Sequence, residues 1–152
     1  MEDGIRIKGT WYLLLRRKSG EEVNLVVGNS ATNAGKAEIA GLIVSDISGT
    51  AFDYIAIGTG TGTAAVTDTA LGTTETARSS VTGTRTTTTV TNDTAQYVTT
   101  FGFAGANAVT EVGIFNTSSS ATTGDMLARQ TYAALNVAAG DTLQVTYKVV
   151  VS

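Results

Sequence analysis

Hydrophobic and polar positions alternate at both ends of this chain. Ile5, Ile7, Gly9, Trp11, Leu13 and Leu15 fall on one face of an extended segment, and Arg6, Lys8, Thr10, Tyr12, Leu14 and Arg16 on the other. Successive side chains of a pleated strand point to opposite sides, so a period of two predicts a strand with one buried face. Arg17-Lys18-Ser19-Gly20 supplies a polar turn, and Glu22 to Val27 reads as the returning strand of a hairpin over 5–27. At the far end Leu143, Val145, Tyr147, Val149 and Val151 alternate with Thr142, Gln144, Thr146 and Lys148, after a Gly140-Asp141 turn. This predicts a second amphipathic antiparallel strand.

The period changes once in between. Across Thr32 to Val44, Ala34, Ala37, Ala40, Leu42 and Ile43 recur at three- and four-residue steps, which predicts a helix over 32–44 with those residues inward. Thr32 or Asn33 caps it by accepting an orphan backbone N–H, and Gly35 and Gly41 weaken it. A loop over 45–53 follows. The main β region, 54–151, breaks into short apolar runs: Tyr54–Gly58, Thr76–Thr91 interrupted near Gly83, Gln96–Phe103, Val109–Asn116 and Met126–Ala133. Turns fall at Asn92-Asp93 and Gly105–Asn107, a turn or one helical turn at Val66–Gly72, and an exposed loop at 117–125. Short strands separated by turn signals indicate an all-β fold, an antiparallel β-sandwich or flattened barrel, with one short α-helix across an open end.

Composition supports one folded domain over 1–152. Hydrophobic residues are 42%, charged residues 15% and mean hydropathy +0.13, unlike the charged, apolar-poor chains that stay disordered. Threonine occurs 28 times, 18 of them between Thr59 and Thr100. It is β-branched and suits a half-exposed pleated surface. With no proline in the chain, and with Tyr97, Phe101 and Phe103 interleaved, this tract reads as β structure rather than a Ser/Pro-type stalk.

The missing residue types exclude much chemistry. There is no Cys, hence no disulfide, zinc ribbon or thiol nucleophile, and no His, hence no Ser-His-Asp triad or HExxH site. A net charge of −3 and a pI near 4.8 disfavour broad nucleic-acid binding. No apolar run approaches a membrane span, and the acidic opening Met1-Glu2-Asp3-Gly4 lacks the layout of a signal peptide, so a soluble protein is expected.

Four candidate sites remain. Gly58-Thr-Gly60-Thr-Gly62 follows a strand, as in phosphate-binding loops, but Thr63 stands where G-x-G-x-x-G needs its third glycine and no Gly-Lys-Ser/Thr follows. A sharply turning loop is the expectation. The acids nearest apolar strands are Glu111, Asp53, Glu75 and Asp68. Glu111 lies between Val109 and Val112, where a buried carboxylate needs a partner. A hairpin of Val109–Asn116 with Met126–Ala133 brings Arg129 opposite Glu111 to within a residue, which predicts a structural Glu111–Arg129 ion pair. Arg16, Arg17 and Lys18 form the one basic cluster. Residues 1–36 carry six positive and four negative charges against four and nine in the remainder. The cluster is a solvated turn or a docking site for an acidic neighbouring subunit. The sequons at Asn92 and Asn116 read as chance matches, and Trp11, among Ile7, Leu13 and Leu15, as core. No catalytic, cofactor or metal site is expected, so the chain reads as non-enzymatic. Thr-rich edges with aromatics leave a carbohydrate-binding adhesion module as an alternative of another class.

The order of blocks carries a resemblance. A basic first strand and charged turn lead to Asn24-Leu-Val-Val27, then Ala34-Gly-Lys-Ala-Glu-Ile-Ala-Gly-Leu-Ile43 and Tyr54-Ile-Ala-Ile-Gly-Thr-Gly60, running on to Asp68-Thr-Ala-Leu71. Glu111-Val-Gly-Ile-Phe-Asn116, Met126-Leu-Ala-Arg129 and Gly140-Asp-Thr-Leu-Gln-Val-Thr-Tyr147 follow. From about Ile5 to Val151 this resembles a group of small structural proteins of tailed bacteriophages. The resemblance implies a virion component: a head decoration or cement protein over capsomer joints, or a tail, baseplate or tail-fibre-associated protein. Its implied partners are the major capsid protein or neighbouring virion subunits, in a homo-oligomer, commonly a trimer. No nucleic acid, membrane or cofactor is implied, and no functional residue is carried over.

Overall fold

The alternating segments pair as their patterns require. In a computed structural model, residues 4–45, 50–72, 74–119 and 125–152 are described. The elements are β1 (Ile7–Arg16), β2 (Glu22–Gly28), β3 (Ser30–Ala31), α1 (Asn33–Val44), β4 (Tyr54–Gly58) and β5 (Glu75–Ser80), followed by β6 (Thr84–Thr86), β7 (Thr94–Gly102), β8 (Asn107–Phe115), β9 (Met126–Val137) and β10 (Thr142–Val151). They form two antiparallel five-stranded sheets, ordered β2-β1-β10-β7-β6 and β3-β9-β8-β4-β5. The expected all-β sandwich with one short helix is therefore the fold. The acidic start at 1–3 and the parts of the expected loops at 46–49 and 120–124 lie outside the described residues.

The core lies between the sheets. Trp11, Leu13 and Leu15 of β1 and Leu143, Val145 and Tyr147 of β10 project from the first sheet. Ile55 and Ile57 of β4, Val112 and Ile114 of β8 and Leu135 of β9 meet them from the second. Trp11 is fully buried and stacks on Tyr147 at 4.1 Å between ring centroids. Burial pushes the Tyr147 hydroxyl pKa up, and Asn29 Nδ2 donates to that oxygen at 2.8 Å.

Three expectations need correction. Ile5 and Ile7 are exposed rather than core, because they stand before and at the start of β1, where Ile7 pairs with Val151, itself exposed. With Ile39, Ala40 and Ile43 of α1 they line an open groove of about 370 Å³. The helix is present, with Thr32 as its cap accepting the Gly35 N–H at 2.9 Å, but it is rotated from the expected face. Gly35 and Gly41 are its buried residues, while Leu42, Ile43 and Val44 face outward. A Cβ on Gly35 would lie 2.6 Å from the Leu127 carbonyl oxygen, so the glycine lets helix backbone rest on β9 backbone. Finally, the Thr-rich strand ends at Thr86. Residues 87–93 turn instead, because the Asp93 carboxylate accepts the N–H groups of Thr88, Thr89 and Val90.

Candidate functional site

The second sheet turns its outer face toward a loop rather than toward water. After β4 the chain crosses this face, and Leu71 packs there with Ala56, Phe115 and Met126 in a separate apolar cluster. Glu111 points to the same side and is fully buried. Its Oε1 accepts the Gly60 N–H at 2.8 Å and its Oε2 the Gly72 N–H at 2.8 Å. One amide of the glycine run, together with that of Gly72, therefore binds an anion, and the anion is the protein's own carboxylate. A Cβ on Gly60 would stand 2.5 Å from Glu111 Oε1, and one on Gly58 would stand equally close, so side chains at either position would displace it.

Arg129 closes the site. Its Nε and Nη2 donate to Glu111 Oε2 at 3.0 and 2.7 Å, its Nη1 to Asp68 Oδ2 at 2.8 Å, and its Nη2 to the Gly62 carbonyl at 3.2 Å. Burial opposes the cation, but the hydrogen bonds and charges of Asp68 and Glu111 outweigh it and raise the Arg129 pKa. The pair anticipated from the sequence is thus brought together, by a different register. Glu111 lies opposite Thr131, and Arg129 opposite Gly113, after a shift between Val109 and Glu111. The two meet diagonally on one face, where Gly113 presents no side chain. Asp68 and the amides of Gly60 and Gly72 are members that sequence reasoning missed; the G-x-G-x-G run was the available signal for Gly60 alone.

Every charged group in this cluster is bonded within the chain. The two other acids near apolar strands behave differently. Glu75 pairs with Arg78 at 2.7 Å, and Arg78 also donates to the Thr117 and Ser119 carbonyls and lies 3.9 Å over the Phe115 ring. Asp53 Oδ1 is buried without a hydrogen-bond partner among the described residues, and its charge adds to the burial that raises the Tyr97 pKa.

The basic turn is divided. Arg16 pairs with Glu22 at 3.0 Å in an exposed bridge. Arg17 turns back to Asp141 at 3.2 Å and to the Asn136 carbonyl. The Asp141 carboxyl also accepts the Lys18 and Ala138 N–H groups, and these bonds hold it below the usual carboxylate range, with Arg17 assisting. Of these three, only Lys18 has no ion pair among the described residues. Arg17 is thereby a strut of the hairpin turn, and the three residues do not form one uncommitted patch.

The larger open surface is the outer face of the first sheet. Strand register places Val98, Thr146, Tyr12 and Val26 in one row across it, with Thr100, Gln144, Leu14 and Asn24 in the next. Tyr12, Val26 and Val98 are exposed by 41, 59 and 43%. Lys8 and Lys148 rise from the same face with no ion pair among the described residues, Lys148 Nζ 5.6 Å over the Tyr12 ring. Among the described residues, no helix is long and apolar enough to cross a membrane, and no group of three or more acidic or thiol side chains could hold a metal ion. No protein-family model, no curated protein and no solved structure matches this chain.

Proposed function

We propose that this chain is a non-enzymatic structural protein of a tailed-bacteriophage virion, a decoration or cement protein that lies over capsomer joints as a homo-oligomer. The reading rests on the block order described above, and one structural observation supports it. The sandwich is two-sided. The second sheet is roofed by the loop after β4, whose Asp68 accepts from Arg129 and whose Gly60 amide donates to Glu111, with Arg129 bonding Glu111 beneath it. The first sheet is uncovered among the described residues, with Tyr12, Leu14, Val26 and Val98 among amides and hydroxyls and with Lys8 and Lys148 in no ion pair among the described residues. An apolar centre with unpaired cations suits docking against an acidic neighbour.

The mechanism is linkage. A protein that binds the assembled shell and not its separated subunits stabilises the shell by mass action. An oligomer that bridges capsomers binds more tightly than its single contacts, through effective concentration. A rigid sandwich loses little ordering entropy on docking.

Imaging of whole particles tests the reading. The expected result is density for this sandwich on the head, in copy numbers that follow the capsid lattice, with the bare sheet toward the shell. Density confined to the tail would move the protein to the baseplate or fibre, and absence from particles would overturn the virion role. Selective binding on a glycan array by the isolated chain would favour an adhesion module instead.

A further inference from the structure

We infer that the outer edge of β2 is a pairing edge for a second copy of this chain, joined antiparallel about a two-fold axis at Asn24. Each five-stranded sheet ends in two edge strands, and three of the four edges are blunted. β3 is two residues long and leads into α1. β6 is three residues long and carries Arg85. β5 carries Glu75 and Arg78, the latter tied to the 117–119 segment. Short length, charge and cover are the usual protections against edge-to-edge pairing. β2 is open along most of its length: Glu22-Val-Asn-Leu-Val-Val-Gly28 runs seven residues with no proline and one charge, at its start, where Glu22 is paired with Arg16.

Ladder parity identifies the free groups. Arg17 N–H donates to the Glu21 carbonyl at the hairpin turn, so the odd residues Val23, Leu25 and Val27 share their backbone bonds with β1. Glu22, Asn24 and Val26 therefore direct N–H and C=O away from the sheet, and no backbone or side-chain group among the described residues meets them. Gly28 is the exception, because its carbonyl accepts from Gln130 Nε2 at 3.1 Å. Antiparallel pairing of two such edges must set even residues opposite even residues. A dyad at Asn24 sets Glu22 opposite Val26 of the second copy and Asn24 opposite Asn24, using all three free residues and leaving Gly28 to Gln130. A dyad at Leu25 would require Gly28.

The same register suits the side chains. It forms about six ladder hydrogen bonds and places Val23 opposite Leu25 of the second copy, twice, on the core side. Both residues are half-buried against the core in the single chain, and pairing would complete their burial. The two Glu22 side chains end roughly 13 Å apart along the strands. That exceeds the screening length of about 8 Å at physiological salt, so they do not oppose assembly. The result is one continuous ten-stranded sheet. This pairing does not depend on the virion role, and its test needs only the purified full chain.

The test combines solution mass with amide exchange. Light scattering of the wild-type chain should give the mass of two chains, or of an even-numbered assembly. Val26→Lys places a charge at the edge, and Asn24→Pro removes only an outward N–H, so both should halve the assembly while unfolding stays cooperative. In the assembled wild-type chain the amides of Asn24 and Val26 should be protected alongside Val23 and Leu25. In the variants protection should alternate, odd residues slow and even residues fast. A wild-type chain that stays single at its solubility limit, a trimer, an assembly unaffected by both variants, or fast exchange at Asn24 and Val26 in the assembled chain would overturn the inference.

Discussion

Removing the Glu111 carboxylate is the sharpest test of how this sandwich is held. Glu111→Ala deletes the acceptor of four hydrogen bonds: from Gly60 and Gly72 N–H at 2.8 Å each, and from Arg129 Nε and Nη2 at 3.0 and 2.7 Å. The Arg129 guanidinium, with its side chain 5% exposed, keeps among the described residues Asp68 and one carbonyl. Breaking a buried pair by removing one partner costs about 3–5 kcal/mol. In a chain of this size each kcal/mol lowers the melting temperature by roughly 2–4 °C, so a fall of roughly 6–20 °C is expected. Glu111→Gln keeps the shape and one acceptor and should fall between. Asp68 is 23% exposed against 0% for Glu111, so water can replace it, and Asp68→Ala should cost about 1 kcal/mol or less. Urea unfolding of the three variants gives the order, and limited proteolysis should cut the loop after β4 first in Glu111→Ala. A Glu111→Ala midpoint within about 1 kcal/mol of wild type, or an Asp68→Ala loss as large as that of Glu111→Ala, would refute the reasoning.

Other outcomes follow from the same geometry. Gly60→Ala puts a methyl 2.5 Å from Glu111 Oε1 and should cost about 1–3 kcal/mol by urea unfolding, whereas Gly62→Ala meets nothing within 4 Å and should stay within about 0.5 kcal/mol. Asp93 is held well below the usual carboxylate range by the Val90, Thr88 and Thr89 N–H groups, and Asp141 is lowered chiefly by the Lys18 and Ala138 N–H groups. The unfolded chain therefore binds more protons at both residues, so their contribution is complete above about pH 4–5 and lost as pH falls through their folded values. Urea midpoints should drop on acidification below about pH 4, less steeply in an Asp93→Asn, Asp141→Asn double variant; an unchanged slope would remove the assignment. Arg17→Ala should lower the melting temperature through the loss of Asp141 and the Asn136 carbonyl, while Lys18→Ala should leave it unchanged.

Much of this architecture is legible in the sequence because its causes are local. A strict period of two in 7–16 and 142–151 separates the two faces of each strand without reference to any neighbour, and those strands pair directly in the first sheet, although at their shared end Ile7 and Val151 are exposed. The single change of period marks α1, and Thr32 marks its cap. Glu111 among valines announces a partner, since a carboxylate in an apolar strand cannot stay unpaired.

The remainder depends on positions distant in the chain. Which helix face is buried follows from Gly35 meeting the Leu127 backbone, and the periodicity of α1 contains no trace of that contact. Arg17 reads as part of a solvated turn or as a docking cation, and nothing near it in the chain announces its bond to Asp141, 124 residues away. The glycine run reads as a turn until it is found closed around Glu111, because the anion it binds comes from another strand and not from solvent. Alternation along a segment encodes burial and pairing capacity. Only the assembled sheets decide which charges are satisfied internally and which edge, that of β2, is left open.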